Sequence, residues 1–323
     1  MQQPTNIDTS LPLVIVNPKS ASGSTREKWS GVAADFRAHF GAFAVAFTKA
    51  QGDGAVIAER AAKAGRKFII ACGGDGTINE VVNGILNSGV DVEFGILPSG
   101  TGGDFRRTLN MPQGTREAAV ALRDGVTQTI DVGRVTFHDH DDNKVIRYFV
   151  NVSSAGLAAE VIKRVKSAKI FDWLPVESLR GRANFAASTL QEIVNLGGTT
   201  LRIRFDDGDE HQVRTIAFCV ANARYFGGGM MIAPDAKLND GSLDVVNISD
   251  LTSLRIIQKA PALYRGTLGS LKEVKMTTAK RIEVSAADKS EEILIETDGE
   301  LPGKLPATYE IIPDALRVRI PRK

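Results

Sequence analysis

CGGDGTINEVVNG, residues Cys72 to Gly84, overlaps the apolar run RKFIIAC and sets two adjacent glycines, a carboxylate and a further glycine ahead of Ile78. Ile78, Val81, Val82, Ile85 and Leu86 recur at the i, i+3, i+4, i+7 spacing of one helix face, whereas the preceding run reads as a short buried strand. The glycines therefore occupy a strand-to-helix turn. Glycine reaches positive φ and admits a ligand to the main chain, and the first turn of a helix offers unpaired N–H groups to an anion. Gly73, Gly74 and Gly76 are thus placed to cradle a phosphate. Asp75 in their midst would repel that phosphate unless a cation or a hydroxyl stood between them, which points to a metal-bound nucleotide. Thr77 and Glu80 admit two readings, a T-x-x-E capping box for the helix or contacts to the nucleotide.

Two more turns of the same kind follow apolar runs. LPSGTGGDFRR, Leu97 to Arg107, brings Ser99, Gly100, Thr101 and Asp104, and VNPKSASGS, Val16 to Ser24, closes the first strand with Asn17 and a helix start. Between Pro12 and Val132 the runs LVIVNP, AVAFT, KFIIAC, EFGILP and TQTIDV alternate with helical patterns at 24–40, 55–64, 78–87 and up to Asp124. That alternation predicts a parallel sheet with crossover helices, and ligands of such sheets bind at the carboxyl ends of the strands. Three anion-suited turns at one sheet edge suit a polyphosphate. The G-x-x-x-x-G-K-[ST] signature is absent, so the cradle is not that of a P-loop NTPase.

After Gly133 the pattern changes to closely spaced strand-like segments: RVTFH, RYFVNVS, LRIRF, TIAFCVA, LDVVNI, RIEVSA and EILIET. These predict a β-rich, antiparallel, sandwich-like domain. The expected division is 1–132 for the α/β nucleotide-binding domain and 133–306 for the β-rich domain. A tail over 307–323 reads as further strands that can return to either one. One helical interruption is expected from Gly156 to Asn195.

Composition narrows the partners. The 323 residues are 43% hydrophobic, enough for a sizeable core, and 40 Lys and Arg against 38 Asp and Glu leave a formal charge of +2. No global field draws the chain to nucleic acid. Cys72 and Cys219 lie in separate apolar runs, which suits buried thiols in a reducing compartment and makes the cytoplasm the expected location. MQQPTNIDTS lacks the basic start and apolar run of a signal peptide, and no apolar run reaches the roughly twenty residues of a membrane-spanning helix.

GGDGTINEVVNG taken together with VNPKSASG, PSGTGGDF, IDVG, PDAKLNDGSLDVV and TDGE resembles the diacylglycerol kinase catalytic-domain family, which includes bacterial soluble lipid kinases, sphingosine kinases and ceramide kinases. The likeness runs in order along nearly the whole chain. It implies an ATP- and Mg²⁺-dependent kinase acting on a lipid hydroxyl, with diacylglycerol as the first expectation, an ATP site in the cleft and peripheral contact with the inner membrane surface. By position, Gly73 to Thr77 would hold the ATP phosphates, with Asn17, Thr48, Ser99 and Thr101 completing the nucleotide site. Asp298 would be the general base and Glu300 its neighbour. A structural magnesium would be bound by Asp240 and by carbonyls around Lys237 and Ser242, and linked through water to Asp104 and Asp131. The resemblance further implies a homodimer built on an edge strand of the second domain. Read by themselves, TDGE is a hairpin turn and LNDG an ordinary turn.

Many relatives read GTxNDxA where this chain reads GTGGDFR, so Gly103 replaces an Asn and Arg106 a small residue. Arg106 and Arg107 bring positive charge to a phosphate or a lipid headgroup. VIKRVKSAKIFDWLPVESLRGR, 161–182, places lysines before Phe171, Trp173 and Leu174 and suits an anionic bilayer surface, or equally a solvated helix and a packed loop. His138 and His140 alternate in an acidic turn and read as solvated. GGGMM, Gly227 to Met231, suits a lipid pocket or core filling. Two other functions stay open: an NAD kinase, which shares a GGDGT-type loop, and a nucleotide-gated lipid-binding protein without catalysis. The set Asp75, Asp104, Asp240 and Asp298 argues against the second, since a pure binder needs no such acids.

Overall fold

The computed structural model describes residues 9–20, 23–99, 103–156, 198–249, 259 and 261–322. The chain forms two compact units, residues 1–130 with 314–323, and residues 131–313.

The first unit is α/β. Strands β1 (Leu13–Val16), β2 (Ala44–Phe47), β3 (Phe68–Gly73) and β4 (Glu93–Pro98) run parallel in the order β2-β1-β3-β4. The near-continuous burial of LVIV and FIIACG is what a parallel sheet covered by its crossovers requires. Helix α1 (Ser24–Phe40) links β1 to β2 and buries Phe36, which stacks on Phe40 one turn later at 4.6 Å. Helices α2 (Asp53–Lys63) and α3 (Asp75–Ser88) pack on one another, and Gly84 makes this approach feasible, because a Cβ there would lie 2.2 Å from the carbonyl oxygen of Ala55. Helices α4 (Asp104–Thr108) and α5 (Thr115–Asp124) follow β4, and α5 packs on α1.

The end of the chain returns to this sheet. The last residues of strand β17 (Glu300–Ile320) pair parallel with β4, Arg317 opposite Glu93 and Val318 opposite Phe94. Glu93, buried in β4, accepts both Nε and Nη2 of Arg319, at 2.5 and 2.6 Å, and the hydroxyl of Thr127. Burial acts to raise its carboxyl, but Arg319 and Thr127 outweigh that and hold it below the usual range. A bidentate guanidinium on a buried carboxylate thus fixes the final strand in register.

The second unit is the expected antiparallel β-rich sandwich. Strand β7 (Val152–Gly156) lies between β10 (Ala217–Ala221) and β16 (Leu294–Thr297), and β10 continues to β13 (Leu243–Ile248) and β14 (Val274–Ala279). A second path runs from β17 through β15 (Arg281–Ala286) and β8 (Thr199–Phe205) to β9 (His211–Thr215), while β5 (Val126–His138) pairs with β6 (Lys144–Phe149) and β17. Val135, Phe149, Ile203, Phe218, Val245 and Tyr309 from both paths share one buried core. Sequence pattern missed β9 and β14, whose polar residues hide the alternation, and the short hairpin of Tyr225–Phe226 with Met230–Met231.

RYFVNVS, expected as one strand, breaks between Phe149 and Val152. Its cause is a carboxylate from far along the chain, described below. The helical expectation for Gly156 to Asn195 and the basic-aromatic segment 161–182 lie outside the described residues, apart from Gly156, which ends β7. Cys72 and Cys219 are both buried and unbridged. His138 ends β5, and His140 Nε2 sits 3.2 Å from the carbonyl oxygen of Leu301. No helix among the described residues is long and apolar enough to cross a membrane.

Candidate functional site

At the carboxyl edge of the first unit's sheet, Asn17, Thr48, Gly73 and Ser99 stand at or just after the ends of β1, β2, β3 and β4. Hydrogen bonds tie the loops together. Asn17 donates from Nδ2 to Thr77 Oγ1 at 3.1 Å and accepts the Lys19 N–H at 2.9 Å, while its own N–H reaches the Cys72 carbonyl. Ser99 Oγ and Thr25 Oγ1 are 2.5 Å apart, and Thr25 continues to Ser20 at 2.7 Å. Gly73 has to be glycine because a Cβ there would sit 2.4 Å from Thr77 Oγ1. Gly100 and Thr101 lie outside the described residues.

Helix α3 begins at Asp75, with Gly74 as N-cap and no side-chain capping bond. The capping-box reading of Thr77 and Glu80 is therefore corrected: Thr77 is already inside the helix, and its hydroxyl faces Asn17. Glu80 does cap a helix, but a neighbouring one. Its Oε1 accepts the Gly52 N–H at 2.8 Å and its Oε2 the Gly54 N–H at 3.0 Å, at the start of α2. Glu80→Ala is expected to cost about 1–2 kcal/mol of stability, in line with lost N-caps, and to leave nucleotide affinity unchanged. Urea unfolding alongside ADP titration checks both; a stable variant that no longer binds ADP would return Glu80 to the ligand.

Asp75 also has a partner the sequence did not show. Its Oδ2 accepts the N–H groups of Gly103 at 2.8 Å and Asp104 at 3.2 Å, and its Oδ1 that of Phe105 at 3.4 Å. Main-chain amides stabilise the carboxylate, so no cation is needed to hold it there, and the GGDG turn is clamped to the loop that starts α4. Asp104 is buried and paired with Arg107 Nη1 at 2.7 Å. A pocket opens against this clamp, lined by Gly73, Gly74, Ser99, Gly103, Arg106 and Arg107 among others. Its polar lining is main chain, the Ser99 hydroxyl, the Gln113 amide and two guanidinium groups, which suits phosphate oxygens.

A second pocket on the same edge is lined by Thr25, Arg26, Trp29, Phe47, Thr48 and Lys49 together with Val16, Pro18 and Lys19. Phe47 is 47% exposed and meets Trp29 edge-on, ring centroids 5.8 Å apart. Thr25 lines this pocket and its hydroxyl touches Ser99 of the first one, so the two adjoin. Sequence reading missed Thr25, Trp29 and Phe47. An exposed aromatic on a strand of alternating burial was the available signal.

In the second unit Asp298 is held in the left-handed region, φ 46°, within the turn between β16 and β17, and is 8% exposed. Its Oδ1 accepts the N–H groups of Asn151 at 2.9 Å and Val152 at 3.1 Å, and its Oδ2 that of Val150 at 2.9 Å. These bonds break RYFVNVS into two strands and fix the carboxylate. Glu296 supports the turn, taking the Gly299 N–H at 2.6 Å and the Ser154 hydroxyl at 2.5 Å. Glu300, next in the hairpin, is the first residue of β17.

Asn222 joins this turn to the acidic loop. Its Nδ2 donates to the carbonyls of Val150 at 3.2 Å and Asp131 at 3.1 Å, and its N–H donates to that of Asn151. Asp131 in turn accepts the Gly241 N–H at 2.8 Å and donates its own N–H to the Leu238 carbonyl. Asp240 Oδ1 accepts the Ser242 N–H at 3.2 Å. Burial, then Asp240 and Asp235, push the Asp244 carboxyl up to about 6, with Lys237 opposing. This crowding of carboxylates would be relieved by a cation, and the oxygen-only donors of Asp240 and the loop carbonyls fit magnesium. Among the described residues no three His, Cys, Asp or Glu groups converge to hold a metal by side chains alone. Asp104 belongs to the first unit and Asp131, Lys237, Asp240 and Ser242 to the second.

Fold and loops define an α/β unit with glycine-rich turns at its sheet edge, followed in the chain by an antiparallel β-sandwich unit. Residues 12–135 match the diacylglycerol kinase catalytic domain, and residues 151–320 the YegS C-terminal NAD kinase beta sandwich-like domain. The chain belongs to the diacylglycerol kinase family. It is 29% identical over 311 residues to a diacylglycerol kinase of Mycobacterium tuberculosis, covering 95% of this chain and 94% of that one. With the Staphylococcus haemolyticus diacylglycerol kinase the identity is 31% over 264 residues, 81% of this chain and 73% of the relative. A diacylglycerol kinase structure from Bacillus anthracis str. Sterne superposes with TM-score 0.73 at 26% identity, covering 96% of each chain.

Proposed function

We propose that the protein is an ATP- and Mg²⁺-dependent lipid kinase that transfers the γ-phosphate to the hydroxyl of diacylglycerol, giving phosphatidic acid at a membrane surface. The observation that carries this reading is the clamped GGDG turn opening on a pocket lined by glycine main chain, Ser99 and two arginines, in a chain whose curated relatives are named diacylglycerol kinase.

Phosphoryl transfer asks a protein for positioning and charge neutralisation more than for covalent chemistry. Gly73, Gly74, Ser99 and Arg107 take the phosphates, and the pocket of Trp29, Phe47 and Thr48 takes the base, its aromatic walls suited to a flat ring. Asp298 is the group assigned to accept the proton of the lipid hydroxyl, its orientation fixed by the amides of Val150 to Val152. Magnesium, held by Asp240 and the carbonyls of Lys237 and Ser242, would add positive charge where the acidic loop crowds. The acceptor lies in a bilayer, so the protein works as a peripheral membrane enzyme.

The test is transfer of radiolabelled γ-phosphate from ATP with Mg²⁺ to a panel of diacylglycerol, sphingosine, ceramide, phosphatidylglycerol and NAD. Label is expected in diacylglycerol. Label in another lipid corrects the substrate, label in NAD overturns the lipid reading, and label in nothing removes the kinase activity.

A further inference from the structure

Arg106 is a half-buried cation in the lining of the first pocket. Its Nη1 donates to the Met111 carbonyl at 2.8 Å, yet among the described residues it makes no ion pair, whereas its neighbour Arg107 is bound to Asp104. The carboxylates closest in charge to it, Asp75 and Asp104, are already engaged by main-chain amides and by Arg107. The Arg106 guanidinium is half-buried and shares the pocket lining with the like charge of Arg107. A charge that is desolvated and repelled in this way is stabilised by an anion placed against it.

The space that Arg106 occupies is made by Gly103. That glycine has φ 75°, and a Cβ built on it would lie 3.0 Å from Arg106 Nε, inside normal contact. The two residues at which the chain departs from the GTxNDxA pattern are therefore one structural arrangement. Loss of the side chain at 103 lets the guanidinium at 106 lie beside Gly73, Gly74 and Ser99 in the lining of the phosphate-suited pocket.

We propose that Arg106 is a phosphate-binding residue of the nucleotide site, seated in the room Gly103 leaves, and that it recognises the polyphosphate chain of the nucleotide rather than its base. This rests on the kinase reading above for the identity of the anion. The guanidinium brings a planar fork of donors to phosphate oxygens, which lysine only partly replaces.

Calorimetric titration of the full chain with ADP, inorganic tripolyphosphate and adenosine tests it. Arg106→Ala is expected to weaken ADP and tripolyphosphate by about 10- to 100-fold, the range of a charged hydrogen bond, and to leave adenosine unaffected. Arg106→Lys should fall between wild type and Arg106→Ala for ADP and tripolyphosphate, and it keeps the test open if the alanine variant is poorly folded; a purely structural role through Met111 would weaken adenosine as well. Equal ADP affinity in wild type and Arg106→Ala overturns the inference, as does a loss that extends equally to adenosine. Wild type that binds neither ADP nor tripolyphosphate removes the kinase reading and this inference with it. Wild type that binds ADP but labels no lipid removes only the lipid-kinase reading.

Discussion

Asp298→Asn is expected to lower lipid phosphorylation by about 10²- to 10⁴-fold, the usual worth of a general base. Asparagine is the informative substitution because it tolerates the left-handed backbone at φ 46°, where alanine would add strain. It also alters the turn in a calculable way. Its carbonyl oxygen can keep the N–H groups of Asn151 and Val152, but its amide then faces the Val150 N–H donor to donor. Leaving that buried amide unpaired costs about 1–3 kcal/mol. Two consequences are thus expected together, a lower unfolding temperature and a far larger loss of turnover per folded molecule, with ADP affinity unchanged. Melting curves, ADP titration and the γ-phosphate assay on the same preparation separate them. Turnover within about threefold of wild type in a destabilised variant would reduce Asp298 to a keystone of the turn and take the base role away.

That double duty explains what the sequence could and could not disclose. The first four strands and their crossover helices were legible to within a few residues, because apolar runs such as LVIV and FIIAC and the periodicity of Ile78, Val81, Val82 and Ile85 are local signals of burial. TQTIDV, read with them, lies instead in β5, which pairs with β6 and β17, and the parallel neighbour of β4 beyond β3 is the end of β17. The TDGE turn was legible as a hairpin. What escaped was every contact between distant segments: Glu80 capping α2 across 26 and 28 residues, Asp75 capping the start of α4, Asp298 bending the chain at Val150 to Val152 some 146 to 148 residues earlier. Carboxylates are ambiguous in sequence for a physical reason. A carboxylate that accepts backbone N–H groups and one that meets a metal or a proton are the same residue, and only the neighbours differ. The polar strands β9 and β14 escaped for a related reason, since their place in the sheet is set by partners rather than by their own alternation.

Asp75→Ala is expected to abolish most of the phosphate binding at the opening turn, with an effect on turnover of about 100-fold or more, the scale of a misplaced binding group. The clamp gives the reason. Without the carboxylate, the N–H groups of Gly103, Asp104 and Phe105 lose their acceptor, α4 loses its start, and Arg106 and Arg107 on that helix lose their register against Gly73 and Gly74. Asp75→Asn divides the possible causes. The two shortest bonds, from Gly103 and Asp104, both end on Oδ2, so an asparagine whose carbonyl takes that position keeps them while removing the charge. If Asp75 acts by clamping the loop, Asp75→Asn recovers most of the ADP affinity and turnover that Asp75→Ala loses. If its negative charge is what matters, by holding a cation against the phosphates, Asp75→Asn is as inactive as Asp75→Ala although its melting temperature is restored. The three amide bonds favour the first outcome, and ADP titration of both variants with and without Mg²⁺ decides between them.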